Sequence, residues 1–235
     1  MDRELRERIQ RHLAGFVTDR RKRRVEEVLE YRTRYITVVV ENLFQQHNAS
    51  AVIRTCDCFG IQDLHVIELD NLFEVNDRVA VGAEKWVNVR RHSRPDAEAT
   101  RECLEGLKSK GYRVAALTLR EGAMPLEDVM LDQKLALCLG TEEDGLTDTA
   151  HELADVFVRL PLYGFTQSFN VSVTAALCLS ALTTRLHRTT GDWRLTEPEK
   201  DDLRYEWYCR SVPNADLHVA RVMREASGSS KPSVH

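Results

Sequence analysis

Long apolar runs are missing from this 235-residue chain. A membrane-spanning helix, which needs about 20 consecutive apolar residues, is therefore not expected. The amino terminus, MDRELRERIQRHLAG, lacks the apolar core of a secretory leader, so the chain is expected to work in the cytoplasm. Cys56, Cys58, Cys103, Cys138, Cys178 and Cys209 show no zinc-type spacing. Cys56-x-Cys58 is too close for an ordinary disulfide and is not a Cys-x-x-Cys redox pair. Reduced, mostly buried thiols and no bound metal are expected. Internal repeats and hairpin signals are also absent, which leaves solenoids and meandering β folds without support.

The rest of the composition is that of an ordinary soluble globular protein, 43% hydrophobic and 30% charged, with room for one large or two small domains. A net charge of −4 excludes indiscriminate nucleic-acid binding but hides an asymmetry. Residues 1 to 34 are rich in arginine, densest at Arg20-Arg21-Lys22-Arg23-Arg24. Interspersed Glu26, Glu27 and Glu30 also allow a solvated helix with internal ion pairs; an RNA substrate would make the same run a phosphate-contacting arm.

Read in order, residues 3 to 31 give two helical segments broken near Gly15 to Thr18. Tyr35 to Val40 is a β-branched run of buried-strand type, followed by a helix from Ala49 to Phe59 that Gly60 stops. Leu64 to Leu69 completes a β-α-β unit. Residues 70 to 95 give little signal beyond a short strand candidate at Trp86 to Val89. An amphipathic helix is expected over Asp96 to Ser109, strands over Val114 to Leu119 and Lys134 to Leu139, and a short helix over Asp148 to Ala154. A last strand, Val156 to Leu162, leads into a helix that runs to about His187. Alternating strands and helices make an α/β domain around a largely parallel sheet. Beyond Thr189, Thr196 and Glu199 form a capping box with Pro198 in the first turn, and a second short helix spans Ala215 to Glu225.

Three stretches carry chemistry. The first is Asn42 with His47-Asn48-x-Ser50-x-x-x-Arg54. Arg54 faces away from the apolar positions Val52 and Cys56 and is placed to bind a phosphate, unless it pairs with Asp57 or an acidic loop. The second is Gly140-Thr141-Glu142-Glu143-Asp144-Gly145, an acidic turn between glycines at a strand end. The third is Leu160 to Leu179, where a strand passes through a turn at Gly164 and shows Gln167, Ser168, Asn170 and Ser172 before an apolar helix. Ser168 or Asn170 as a helix cap explains one of these residues; a ligand explains the set.

Together and in this order, Asn48 to Gly60, Gly140 to Gly145 and Leu160 to Ser172 resemble motifs one, two and three of the SPOUT-class RNA 2′-O-ribose methyltransferases. The likeness is greatest to their TrmH type, which methylates the ribose of guanosine 18 in tRNA, and it spans about residues 20 to 190. It implies a SPOUT α/β fold with a largely parallel sheet and a C-terminal deep trefoil knot, flanked by helical extensions. The expected divisions are a basic extension at 1–34, the methyltransferase domain at 35–189, a helical extension at 190–226 and a disordered tail at 227–235. No Gly-x-Gly-x-x-Gly follows the first strand, as a Rossmann-type methyltransferase would require.

The resemblance also implies S-adenosyl-L-methionine held by the knot loops, a tRNA substrate and a homodimer formed through the knotted domain. Arg54 matches the family's catalytic arginine, with Asn48 positioning it or the ribose. Glu142 matches the motif-two carboxylate, and Ser168 and Asn170 the motif-three polar pair. The cofactor would lie against Leu117, Gly140, Glu142, Gly145, Leu160, Leu162, Phe169 and Asn170, largely through backbone. RNA would meet Arg20, Arg21, Arg23, Arg24, Arg54, Arg185 and Arg188. Two positions depart from the family: Phe169 replaces the usual leucine near the adenine, and Glu143-Asp144 stands where several relatives carry Lys-Trp. The alternatives are a 2′-O-methyltransferase for rRNA or the tRNA wobble position, and a non-catalytic RNA-binding module of the same fold.

Overall fold

The computed structural model describes residues 2–94, 98–189 and 192–228, and these divide into two compact units, one between 32 and 194 and one of 2–31 with 195–228. The larger unit is built on seven strands, β1 (Ile36–Glu41), β2 (Asp63–Glu68), β3 (Asn88–Ser93), β4 (Tyr112–Leu117), β5 (Met124–Pro125), β6 (Lys134–Leu139) and β7 (Val156–Arg159). They form one sheet in the order β3-β2-β1-β6-β4-β7-β5, and every pairing is parallel. Its helices are α3 (Gln46–Cys58), α4 (Asp77–Ala80), α5 (Glu98–Lys108), α6 (Asp148–Leu153) and α7 (Val171–Leu186).

The pleat explains the sequence of the central strands. Ile36, Val38 and Val40 of β1 and Leu135, Leu137 and Leu139 of β6 enter the core on the face covered by α3 and α7. Val39, Ala136 and Cys138 point to the opposite face, against Ala99, Cys103 and Leu104 of α5 and Ala150 of α6. Both faces are buried, so these strands read as continuous apolar runs rather than alternating ones. Burial pushes the Cys56, Cys103 and Cys178 thiols up to about 12, which leaves them protonated.

Most expected elements are present with shifted ends. β4 begins and ends two residues earlier than its apolar pattern indicated, and α3 starts at Gln46 rather than Ala49. The last strand stops at Arg159, not Leu162. Its pairing with β4 ends at Val158 and with β5 at Arg159, and Pro161 has no N–H to extend a ladder. β3, with the sequence NVRRHS, is an exposed edge strand; its polarity is why only its first two residues gave a signal. Asp96, the first residue expected in α5, lies outside the described residues.

The smaller unit consists of α1 (Arg3–Ala14), α2 (Asp19–Leu29), α8 (Glu197–Ser211) and α9 (Ala215–Gly228). The two terminal extensions thus pack as one body, around Ile9, Leu13, Leu29, Leu203 and Trp207. Arg204 of α8 grips Glu26 of α2 at 2.7 and 2.8 Å, and Lys200 reaches Glu30 at 2.7 Å. The capping box at Thr196 and Glu199 starts α8. Residues 227 and 228, expected in a disordered tail, are the end of α9; residues 229–235 lie outside the described residues.

Leu137 lies fully buried at the centre of the sheet. Leu137→Ala is expected to cost about 2–5 kcal/mol in a urea-unfolding experiment; a loss well below 1 kcal/mol would contradict this placement.

Candidate active site

The three chemistry-bearing stretches converge on one carboxylate. Glu142 Oε1 accepts from Asn48 Nδ2 at 3.1 Å, Asn170 Nδ2 at 2.7 Å and the Val171 backbone N–H at 3.1 Å. Asn170 Nδ2 also donates to Asn48 Oδ1 at 2.9 Å. Its own Oδ1 accepts from the Ser172 N–H and hydroxyl, at 2.9 and 2.6 Å. Asn170 is therefore the N-cap of α7 as well as a bridge, and its amide has both donors and both acceptor sites occupied. Asn48 is similarly committed, since its Nδ2 also reaches Gln45 Oε1 at 3.3 Å. These two asparagines frame the site by joining the first turn of α3, the 140–145 turn and the start of α7.

A cavity of about 460 Å³ opens at the carboxyl ends of β4, β6 and β7, where parallel sheets bind ligands. Of the expected cofactor contacts, Leu117, Gly140, Glu142, Gly145, Leu160, Leu162 and Phe169 line it, and Ser168 does as well. Asn170 and Asn48 do not; their amides are turned to Glu142 and to each other. Arg54 is not on the cavity wall either; it lies exposed on α3 with no hydrogen bond or ion pair among the described residues. Its alternative partner is taken, because Asp57 pairs with the buried Arg32. Ser50 acts elsewhere: its hydroxyl donates to the Gln46 carbonyl at 2.8 Å and accepts the Asn76 N–H at 2.7 Å.

The glycines of the acidic turn have a reason other than ligand approach. A Cβ on Gly140 would lie 2.1 Å from the Gly145 carbonyl carbon, because Thr141 and Gly145 close the turn with an N–H to O bond of 3.0 Å. Gly145 itself sits at φ +73°, a left-handed conformation that favours glycine. Behind the turn, the buried Glu41 accepts from the Thr147 N–H and hydroxyl at 2.8 and 2.9 Å and from Thr100 Oγ1 at 2.5 Å. Sequence reading missed Glu41, which looks like the polar end of an apolar strand. It also missed His151 on the cavity wall. His151 Nδ1 donates to the Thr147 carbonyl at 2.8 Å, and its Nε2 lies 3.0 Å from Thr118 Oγ1.

The basic residues divide by environment. Arg20 and Arg23 are exposed on α2 with no partner among the described residues, and Arg21 is exposed beside them. Arg24 pairs with Glu27 at 3.3 Å in an exposed pair worth little. These cations sit in the first half of α2, where the helix dipole disfavours positive charge. Arg188 is exposed after α7. Arg185, expected at RNA, instead braces the turn before β6 by donating to the Leu126 carbonyl at 3.1 Å and to the Val129 carbonyl.

Residues 35–180 match the SpoU rRNA Methylase family. The chain is 39% identical over 202 residues to the tRNA (guanosine(18)-2′-O)-methyltransferase of Borreliella burgdorferi, covering 86% of this chain and 90% of that relative. Among solved structures, the A. aeolicus TrmH/SpoU tRNA modifying enzyme is similar with a TM-score of 0.74 at 27% identity, over 83% of this chain and 98% of that one. The fold is also that of the SpoU methyltransferase AviRb from Streptomyces viridochromogenes, solved in complex with the cofactor AdoMet. That match has a TM-score of 0.56 at 19% identity, over 69% of this chain and 62% of that one.

Gly140→Ala is expected to force the turn open while the sheet stays folded. Hydrogen exchange at the Thr141 amide should then rise at least about tenfold, as expected for the loss of one local hydrogen bond. Unchanged protection would show that the turn tolerates a side chain there.

Proposed function

Because this chain belongs to the SpoU rRNA methylase family, we propose that it transfers a methyl group from S-adenosyl-L-methionine to a ribose 2′-hydroxyl in tRNA, that of guanosine 18. The observation that carries this reading is the meeting of Asn48, Glu142 and Asn170, one residue from each motif, beside a cavity of small-molecule size. The choice of tRNA is supported by the Borreliella relative, whose 202 aligned residues run past the 35–180 segment into the flanking helices.

The cavity fits the proposed cofactor. Its volume of about 460 Å³ lies in the range of small-molecule sites, and its wall joins apolar Leu117, Leu160 and Leu162 to the polar 140–145 turn. When bound, the cofactor supplies a methyl group on a sulfonium and departs as a neutral thioether, so no acid or metal is needed for the leaving group. The chain's own task is to align a poor nucleophile and remove its proton. Arg54 suits the first part. Always protonated and uncommitted, it would grip the phosphate of the target nucleotide and offset charge developing on the ribose oxygen. It would not act as a base; the proton would pass to that phosphate or to a water. Ser168, whose hydroxyl has no partner among the described residues, would bond the ribose or the methionine end from the cavity wall.

Arg20, Arg21, Arg23, Arg24 and Arg188 would hold the RNA backbone, which carries no sequence information of its own. In this reading the chain is a homodimer. Val173 and Leu177 are 45% and 43% exposed on α7, and Tyr163 and Phe165 of the preceding loop are almost fully exposed. These are apolar groups that a second subunit would cover. Residues 160–170 would be the last pass of a trefoil knot. Among the described residues no helix is long and apolar enough to cross a membrane, in keeping with work on tRNA in the cytoplasm.

With labelled methyl donor and unmodified tRNA transcript, the product is expected to carry one methylated ribose, at guanosine 18; no incorporation into tRNA or rRNA would end the enzyme reading. Arg54→Ala should lower transfer by at least about 100-fold, the lower end of what one catalytic group contributes, with cofactor affinity unchanged within about twofold. Loss of cofactor binding instead would remove Arg54 from this role. Replacing Arg20, Arg21, Arg23 and Arg24 with Gln should weaken RNA binding and flatten its salt dependence by about 0.9 in log–log slope per lost phosphate contact. Unchanged affinity would make α2 a solvated helix and nothing more.

A further inference from the structure

His65, His92 and Cys103 stand far apart in the chain, and their spacing marks no metal site. The fold unites them. In the β2–β3 register His65 lies opposite Arg90 and Ile67 opposite His92, so both imidazoles leave the same sheet face, two positions apart. α5 covers that face and brings the buried Cys103 to the same point. One ligand-type atom from each residue lies within 4.8 Å of the other two.

The distances are close to those of a tetrahedral centre. His65 Nδ1 is 3.0 Å from His92 Nε2 and 3.8 Å from Cys103 Sγ. Bonds of about 2.0–2.1 Å to nitrogen and 2.3 Å to sulfur give ligand–ligand edges of roughly 3.3–3.6 Å. The two edges at His65 need shifts of only a few tenths of an ångström to admit an ion, and the His92–Cys103 edge, within 4.8 Å, would close onto it. We propose that His65, His92 and Cys103 form a binding site for a borderline-soft divalent cation of the zinc type, entered from the half-buried His92 side.

The local chemistry agrees with this. Two nitrogens and one sulfur are the donor set such an ion prefers. Burial, followed by the proximity of His92, holds His65 down to about 4, and burial also lowers His92. Burial pushes the Cys103 thiol up to about 12, so binding must displace that proton to solvent and leave a thiolate on the ion. The surrounding charges are mixed: Glu41, Asp63 and Glu102 against Arg90 and Lys110, with Arg90 paired to Asp63 at 3.3 Å. The site lies at the β2–β3 edge and does not depend on the proposed methyl transfer.

The test uses the full chain, stripped with chelator and titrated with Co²⁺. One equivalent should bind with a near-ultraviolet thiolate-to-cobalt charge-transfer band, and Zn²⁺ should displace it. Cys103→Ser should lose the band, and His92→Gln should bind at least about tenfold more weakly, the scale on which even outer-shell losses act. Circular dichroism checks that each variant folds; if Cys103→Ser does not, the half-buried His92→Gln position still decides. No saturable uptake by the wild type, wild-type affinity in His92→Gln, or a band that survives Cys103→Ser would each overturn the site.

Discussion

One oxygen holds the three loops of this site together. Glu142 Oε1 accepts N–H bonds from the first turn of α3, from the residue capping α7 and from the backbone at the start of α7. A hydrogen bond to a charged group contributes about 1.5–3 kcal/mol when shielded and less where solvent competes, as it does here. Its importance is geometric, because these bonds set the distance between loops that no strand pairing connects. The constraint extends backwards through the closed 140–145 turn to Glu41, which ties the end of that turn to β1 and α5.

That frame leaves a division between groups that position and groups that are free to react. Asn48 and Asn170 have their polar atoms engaged with protein and act through Glu142 and α7. Arg54 and Ser168 have no such engagements among the described residues. The same contrast sorts the arginines. Arg32 is buried against Asp57, whose carboxylate is thereby removed from Arg54, and Arg185 is fixed to backbone carbonyls. Proximity in sequence to a carboxylate or to other exposed cations is therefore a poor guide to which cation is available.

Much of the architecture was legible because both faces of the sheet are buried. β1 and β6 announce themselves as unbroken apolar runs, and Thr196 with Glu199 announces the start of α8. Legibility failed where tertiary contacts decide. β3 is polar because it is an edge, and β7 ends at Arg159 because its partners end there. Gly140 was readable as necessary, but the reason, a turn closed on itself, depends on the backbone of Gly145. The site shows the same pattern. The residue types of the three motifs pointed to a ligand, whereas the saturation of Asn170 is visible only once Asn48, Glu142 and Ser172 are in place. Glu41, His151 and the His65–His92–Cys103 cluster could not be read from spacing, because each is assembled from separate elements.

The central claim, that Glu142 holds the first motif in place, is tested most directly by a double-mutant cycle on unfolding free energy with Asn48→Ala, Glu142→Ala and the double variant. Groups that share a hydrogen-bond network couple by about 0.5–3 kcal/mol. The predicted outcome is a coupling of at least about 1 kcal/mol, with the double variant little worse than Glu142→Ala alone. Additive losses, within about 0.3 kcal/mol, would show that the first and second motifs hold their places independently and would contradict the account.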